Sequence, residues 1–303
     1  MRGDDGASNG CEAGGTRSRV WTAAIREANV VSKPTKQFAL SDRSTALIMA
    51  VERIAQVFPD NFRTSGGNDS ADILRASILR RAIKTVRAAL ELCRLGYDEQ
   101  AVMLARTVFE DMINLHWISV DPDKAVVQFN ETALLAQYRW SNHAKEYGFD
   151  PPPSRELNEQ EMERAIELDK HVQNQSWTRI SLPNRMKAVV GAKMFGDPGG
   201  SEAKKLSFMH EVALDLANGQ THSSPESIYG AIRRDERVPV QTVEFESERS
   251  ERLTGTATLL LGYSLAHLIA QAALDSNLPL ADEVTAAYHA FEDLVNESLD
   301  PEG

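Results

Sequence analysis

From Leu253 to Leu274 the chain carries no formal charge. A run that long and that apolar has two stable homes: a bilayer, or the centre of a helical bundle. The polar residues inside the run decide between them. Thr254, Thr256, Thr258, Ser264, His267 and Gln271 recur through it. Hydroxyls, an imidazole and an amide at that density suit contact with other helices better than contact with lipid. The expectation is a core helix in a soluble, cytoplasmic chain with no membrane partner.

The remaining sequence extends the same pattern. Ser41-Asp42 precedes an apolar stretch that stops at Pro59, and Asp69-Ser70 precedes a long run to Leu95. Within that run Leu74, Ile78, Ala82, Val86, Ala89, Leu90 and Cys93 recur at the three-to-four spacing of one helical face. Gly96 is a natural helix stop, and Asp98 is placed to cap the next helix, expected to reach about Ser119. Asp121-Pro122 opens another helix that ends at Gly148. A triple proline at Pro151–Pro153 marks a loop. A charged helix is expected over Glu156–Gln173, a shorter one over Ser181–Phe195, and one from Ser201 to about Gly219. Two more are expected over Glu246–Asp275 and Leu280–Ser298. Only the stretch 222–246, with its alternating VPVQTVEF, loses helical periodicity. The fold expected is all-α, a multi-helix bundle of long helices with at most one short strand or ordered loop near 222–246. Residues 1–18, rich in Gly, Ser and Asp and lacking an apolar leader segment, read as a flexible tail. Residues 19–69 read as an N-terminal helical segment packing on the core, and 70–300 as the main helical domain.

Charge limits the functional classes. A net charge of −11 argues against a molecule coated for nucleic acid, though not against a local basic stripe. Such a stripe exists. The helix from Ala71 carries Arg75, Arg80, Arg81, Lys84, Arg87 and Arg94 against Asp72 and Glu91. Arg80, Lys84, Arg87 and Arg94 lie near one line that can follow a phosphate backbone, and RNA is the expected nucleic acid. The same line can instead pair with the acidic helix from Glu156. Two cysteines, Cys11 and Cys93, are too few for a disulfide framework or a cysteine-rich zinc site. Cys93, among apolar residues, reads as a small core side chain.

Two further stripes are polar. The helix from Asp98 is apolar nearly all round, which places it centrally. Arg106 and Glu110 nevertheless stand beside Val102, Ile113 and Trp117, as a partly buried pair at i, i+4. Either they tie this helix to a neighbour or they floor a pocket. Thr107, Asp111 and Asn114 offer the helix its only wet edge. On the helix from Ser201, Glu211, Asp215, Asn218 and His222 share one narrow sector. Glu211, Asp215 and His222 can in principle hold a metal, although no HExxH or paired ExxH spacing supports one. The alternative is a solvated acidic face. No phosphate-binding glycine loop or nucleophile elbow is present, and no cofactor is implied.

The segment GYDEQAVMLARTVFE, Gly96–Glu110, resembles an uncharacterised bacterial helical family, domain-of-unknown-function family 5677. It shares that family's Gly-Tyr helix break, Ala-x-x-Leu-x-Arg turn and Phe-Glu. Thr221-His222-Ser223 is similar to the family's histidine-containing segment. Position by position, the resemblance marks Arg106, Glu110 and His222 as site residues. More distantly, such helical families resemble the HEPN superfamily, which includes ribonuclease toxins of bacterial defence. Its arginine-then-histidine signature is met here only by Arg164 and His171, with Ala165 where a polar residue is usual. The resemblances imply a helical effector that cleaves RNA without metal in bacterial stress or phage defence. His222 is then the acid/base, Arg106 steadies phosphate charge and Glu110 orients Arg106. The rival reading is a non-catalytic scaffold binding a protein partner or a small ligand. A homodimer is the default assembly.

Overall fold

The computed structural model describes residues 40–58, 70–149, 156–172, 176–221, 232–233, 242–243, 250–276 and 280–297. Within them run nine helices: Asp42–Val57 (α1), Ser70–Leu95 (α2), Asp98–Val120 (α3), Pro122–Glu146 (α4), Glu159–His171 (α5), Leu182–Gly191 (α6), Ser201–Thr221 (α7), Glu251–Asp275 (α8) and Ala281–Glu297 (α9). Between α7 and α8 two short strands, Ile232–Arg233 (β1) and Thr242–Val243 (β2), pair antiparallel, Ile232 opposite Val243. The all-α bundle read from the sequence is the fold. Residues Leu40–Gly303 form one compact unit, so α1 belongs to the same body as the helices that follow it. The tail expected over 1–18 lies outside the described residues.

Helix α8 is the uncharged run. It is long and apolar enough to cross a membrane, yet most of it is buried among protein, against α3, α1, α9 and α2. Four of its polar side chains find partners inside the bundle. Thr258 donates to the carbonyl of Thr254 at 2.9 Å, Thr256 to that of Arg252 at 2.9 Å, and Gln271 to Asp275 Oδ1 at 2.9 Å. Thr254 donates to Asp98 Oδ1 at 2.6 Å, and Asp98 Oδ2 accepts the Ser250 backbone N–H at 2.9 Å. Asp98 was expected to cap α3. Instead Tyr97 is the N-cap residue of α3, and the buried Asp98 carboxylate closes the N-terminus of α8. A carboxylate is favoured at any helix N-terminus within reach, and the bundle brings the start of α8 within reach of Asp98.

Helix α3 is the hub. It contacts α2, α4, α6, α7 and α8 and buries Ala101, Val108, Phe109, Met112, Leu115 and Ile118. The α2–α3 connection is tight. Gly96 takes φ +81°, where a Cβ would be strained, and the Tyr97 N–H returns to the Leu92 carbonyl at 2.9 Å. So short a link makes α2 and α3 antiparallel neighbours. Cys93 is buried in the core. Helices α4 and α5 form a hairpin at the margin. There Arg139 meets Asp169 at 2.6 Å, and Glu131 accepts from both Arg164 and Arg179. The α5 start is a capping box between Asn158 and Glu161.

Candidate functional site: the charged edge of α3

Arg106 Nε donates to Glu110 Oε1 at 3.2 Å, with the two side chains 26% and 35% exposed. The pair lies one turn above two residues the sequence placed on a wet edge. That placement is corrected for both. Asp111 is 1% exposed and Asn114 is buried, because a guanidinium covers each of them from a neighbouring helix. Arg81 of α2 spans the Asp111 carboxylate with two donors, Nε to Oδ2 at 3.1 Å and Nη2 to Oδ1. Arg185 of α6 donates from Nη1 to Asn114 Oδ1. Thr107 alone of the three remains exposed.

The two covered residues differ in chemistry. Burial raises the pKa of Asp111, and Arg81 opposes that shift. Arg185 is 5% exposed. Among the described residues the only hydrogen-bond partner of its side chain is a neutral amide, and its Nε has none. Burial pulls its pKa below the usual arginine value, while the Glu110 carboxylate nearby pulls the other way. A desolvated guanidinium whose hydrogen bond goes to an uncharged group keeps donor capacity that its own amide partner does not use. The edge of α3 therefore gathers Arg81, Arg106 and Arg185 around Glu110 and Asp111.

The basic stripe of α2 lies beside this edge. Arg80, Lys84 and Arg87 are exposed, and neither Arg80 nor Lys84 forms an ion pair with another described residue. Arg94 is drawn the other way, to Glu52 of α1 at 2.6 Å and Glu91 at 3.5 Å, and Glu52 raises its pKa. The acidic helix α5 lies against α4, and there its Asp169 pairs with Arg139 of α4. His222, and the side chain of Asp215, lie outside the described residues. Glu211 is exposed at an open groove between the end of α6 and α7, and among the described residues no group of three His, Cys, Asp or Glu side chains is placed to hold a metal ion. Arg164 and His171 are exposed on α5, with Arg164 bonded to Glu131 and, at 2.7 Å, to Glu167.

Sequence reasoning missed Arg185. Its segment LPNRMKAVV reads as an ordinary short helix, and only the packing of α6 on α3 sets the arginine over Asn114. It missed His116 as well. That imidazole is fully buried, stacks on Phe195 with centroids 4.5 Å apart, and bonds through Nδ1 to the Met112 carbonyl at 2.8 Å.

Fold and site together define a helical bundle with an arginine-rich edge on its central helix. Residues 72–239, more than half of the chain, match the family of unknown function DUF5677, and the chain belongs to that family. No curated protein and no solved structure matches it. The match spans α2 to α7, and so includes the basic stripe, Arg106, Glu110 and Arg185.

Proposed function

We propose that this chain is an RNA-directed helical effector, of the kind that acts in bacterial stress or phage defence. It holds a phosphodiester at the edge of α3. The observation that supports this reading best is Arg185: a buried guanidinium with a neutral partner is the arrangement that a phosphate oxygen completes. Arg106 supplies the second guanidinium, oriented by Glu110. Arg80, Lys84 and Arg87 receive neighbouring phosphates along α2. In the cleaving form of the reading, which the distant HEPN resemblance suggests, His222 moves the proton and no metal is needed.

The test is a labelled single-stranded RNA incubated with the purified protein, with and without a chelator. Binding that weakens about tenfold in Arg185→Met, and falls steeply with added salt, supports the phosphate site. Chelator-resistant cleavage that disappears in His222→Ala supports the full effector. RNA that is neither bound nor cut refutes both. A protein-binding scaffold is the second reading, favoured by the exposed Ile73 and Phe129 lining the groove between α2 and α4.

A further inference from the structure

A second polar cluster lies away from the α3 edge, where the first turns of α7 meet α8 and α9. Lys205 of α7 places Nζ 2.9 Å from Glu202 Oε1 and 2.7 Å from Glu292 Oε1 of α9. One ammonium group thus bridges two carboxylates from different helices. Beside it stand three rings. The His267 centroid is 4.5 Å from Tyr263 and 6.0 Å from Tyr288, and the two tyrosines are 6.5 Å apart.

Two groups here have unmet hydrogen-bonding capacity. Tyr263 is 1% exposed, and its hydroxyl has no partner among the described residues. That hydroxyl feels both carboxylates, since Glu202 and Glu292 add to the rise in pKa that burial gives it. His267 Nε2 lies 3.7 Å from Glu202 Oε2, close enough for an ion pair but too far for a hydrogen bond, so its hydrogen-bonding capacity is also unmet. A structural lysine–carboxylate bridge accounts for Lys205. It does not account for a buried tyrosine hydroxyl held beside that bridge with nothing to bond, which is a costly arrangement for a purely structural contact.

We propose that this cluster is a binding site for an organic ammonium group, with Lys205 occupying the ligand's place until an amine displaces it. Two carboxylates provide the charge, and the rings of Tyr263, His267 and Tyr288, packed on one another beside them, provide an apolar flank for an alkyl chain. The Tyr263 hydroxyl accepts one ammonium N–H and so gains its missing bond. Lys205 can give way because it is half-exposed on a flexible four-carbon stem. Glu202 stays charged under physiological conditions, its pKa lowered to about 2 by the adjoining His267 ring and then by Lys205, against burial. An amine fits the site better than a metal ion, because no trio of acidic, histidine or cysteine side chains converges here.

The test is calorimetric titration of the full chain with putrescine at moderate salt. Wild type should bind one equivalent saturably. Lys205→Met should bind several-fold more tightly because the internal competitor is gone. Glu292→Gln should bind at least tenfold more weakly, and Tyr263→Phe several-fold more weakly. Thermal melts run beside it keep the result readable for a weakened variant: putrescine should raise the melting temperature of Lys205→Met and leave that of Glu292→Gln unchanged. Saturable binding by neither wild type nor Lys205→Met overturns the proposal. So does binding that is equal in Glu292→Gln, which is general attraction to an acidic chain.

Discussion

Arg185 on α6 donates to the side-chain oxygen of Asn114 on α3, and both residues are buried. This bond joins the helix at the centre of the bundle to one of its shortest neighbours. It also places a guanidinium, with no hydrogen-bonded carboxylate, beside the Arg106–Glu110 pair. An ordinary structural arginine pairs with a carboxylate. Arg185 bonds an amide instead, with the Glu110 carboxylate nearby but not hydrogen-bonded to it.

Removing the amide should therefore cost more than removing both partners. Asn114→Leu leaves a buried guanidinium without its described partner and should lose about 2–4 kcal/mol of stability. The double variant Asn114→Leu/Arg185→Met leaves two apolar groups facing each other and should recover most of that loss. Denaturant midpoints of the single and double variants measure the coupling. A double variant no more stable than Asn114→Leu alone would show that the guanidinium does not depend on Asn114.

Asp111 responds to pH with a defined sign. Burial raises its folded pKa above the ordinary carboxyl value. A raised acid favours the fold when protonated, and that advantage is lost as pH rises through the folded value. Arg81 offsets the loss at neutral pH by pairing with the carboxylate. Arg81→Met should thus cost on the order of 2 kcal/mol at pH 7 and much less at pH 4, where protonated Asp111 needs no cation. Adding Asp111→Asn should remove most of the pH dependence of that penalty. Urea melts at the two pH values decide the matter.

The fold was legible in the sequence where one signal is long and local. The uncharged run identified α8, and the all-round apolarity of Asp98–Val120 identified the hub. Gly96, Asp121-Pro122 and Gly148 marked helix ends that the structure keeps. The site was less legible because its decisive contacts are between helices. Periodicity shows that Asp111 and Asn114 are off the main apolar face, but it cannot show that arginines from α2 and α6 reach over to cover them. The Asp98 carboxylate misled for the same reason. A capping residue is read from its neighbours in sequence, and this one serves a helix more than 150 residues away.

The Phe291 ring packed against the α8 backbone at Gly262 makes a steric prediction. A Cβ added at Gly262 of α8 would come within 2.7 Å of three carbons of the buried Phe291 ring on α9. Gly262→Ala should destabilise the chain by about 1–3 kcal/mol despite the better helix propensity of alanine. Phe291→Leu in the same molecule should relieve the clash, so the pair should lose less than the sum of the two single changes. Thermal unfolding of the four proteins tests this cycle.

His116 makes the chain acid-sensitive from within. The ring is fully buried, burial being the main reason its pKa falls from the ordinary 6.5 to about 3, with the neighbouring His267 adding to the effect and the Met112 carbonyl opposing it. In that window the unfolded chain takes up a proton that the folded one refuses. Stability therefore falls as pH drops from about 6.5 towards 3, by at most roughly 1.4 kcal/mol per pH unit from this residue. His116→Phe keeps the stack on Phe195 and gives up only a bond to a helical carbonyl. It should be within about 1 kcal/mol of wild type at pH 7.5 and more stable than wild type at pH 5. Denaturation midpoints across that range should show the two curves crossing. Parallel curves would mean that the acid sensitivity lies elsewhere, and that His116 gains its proton without leaving the core.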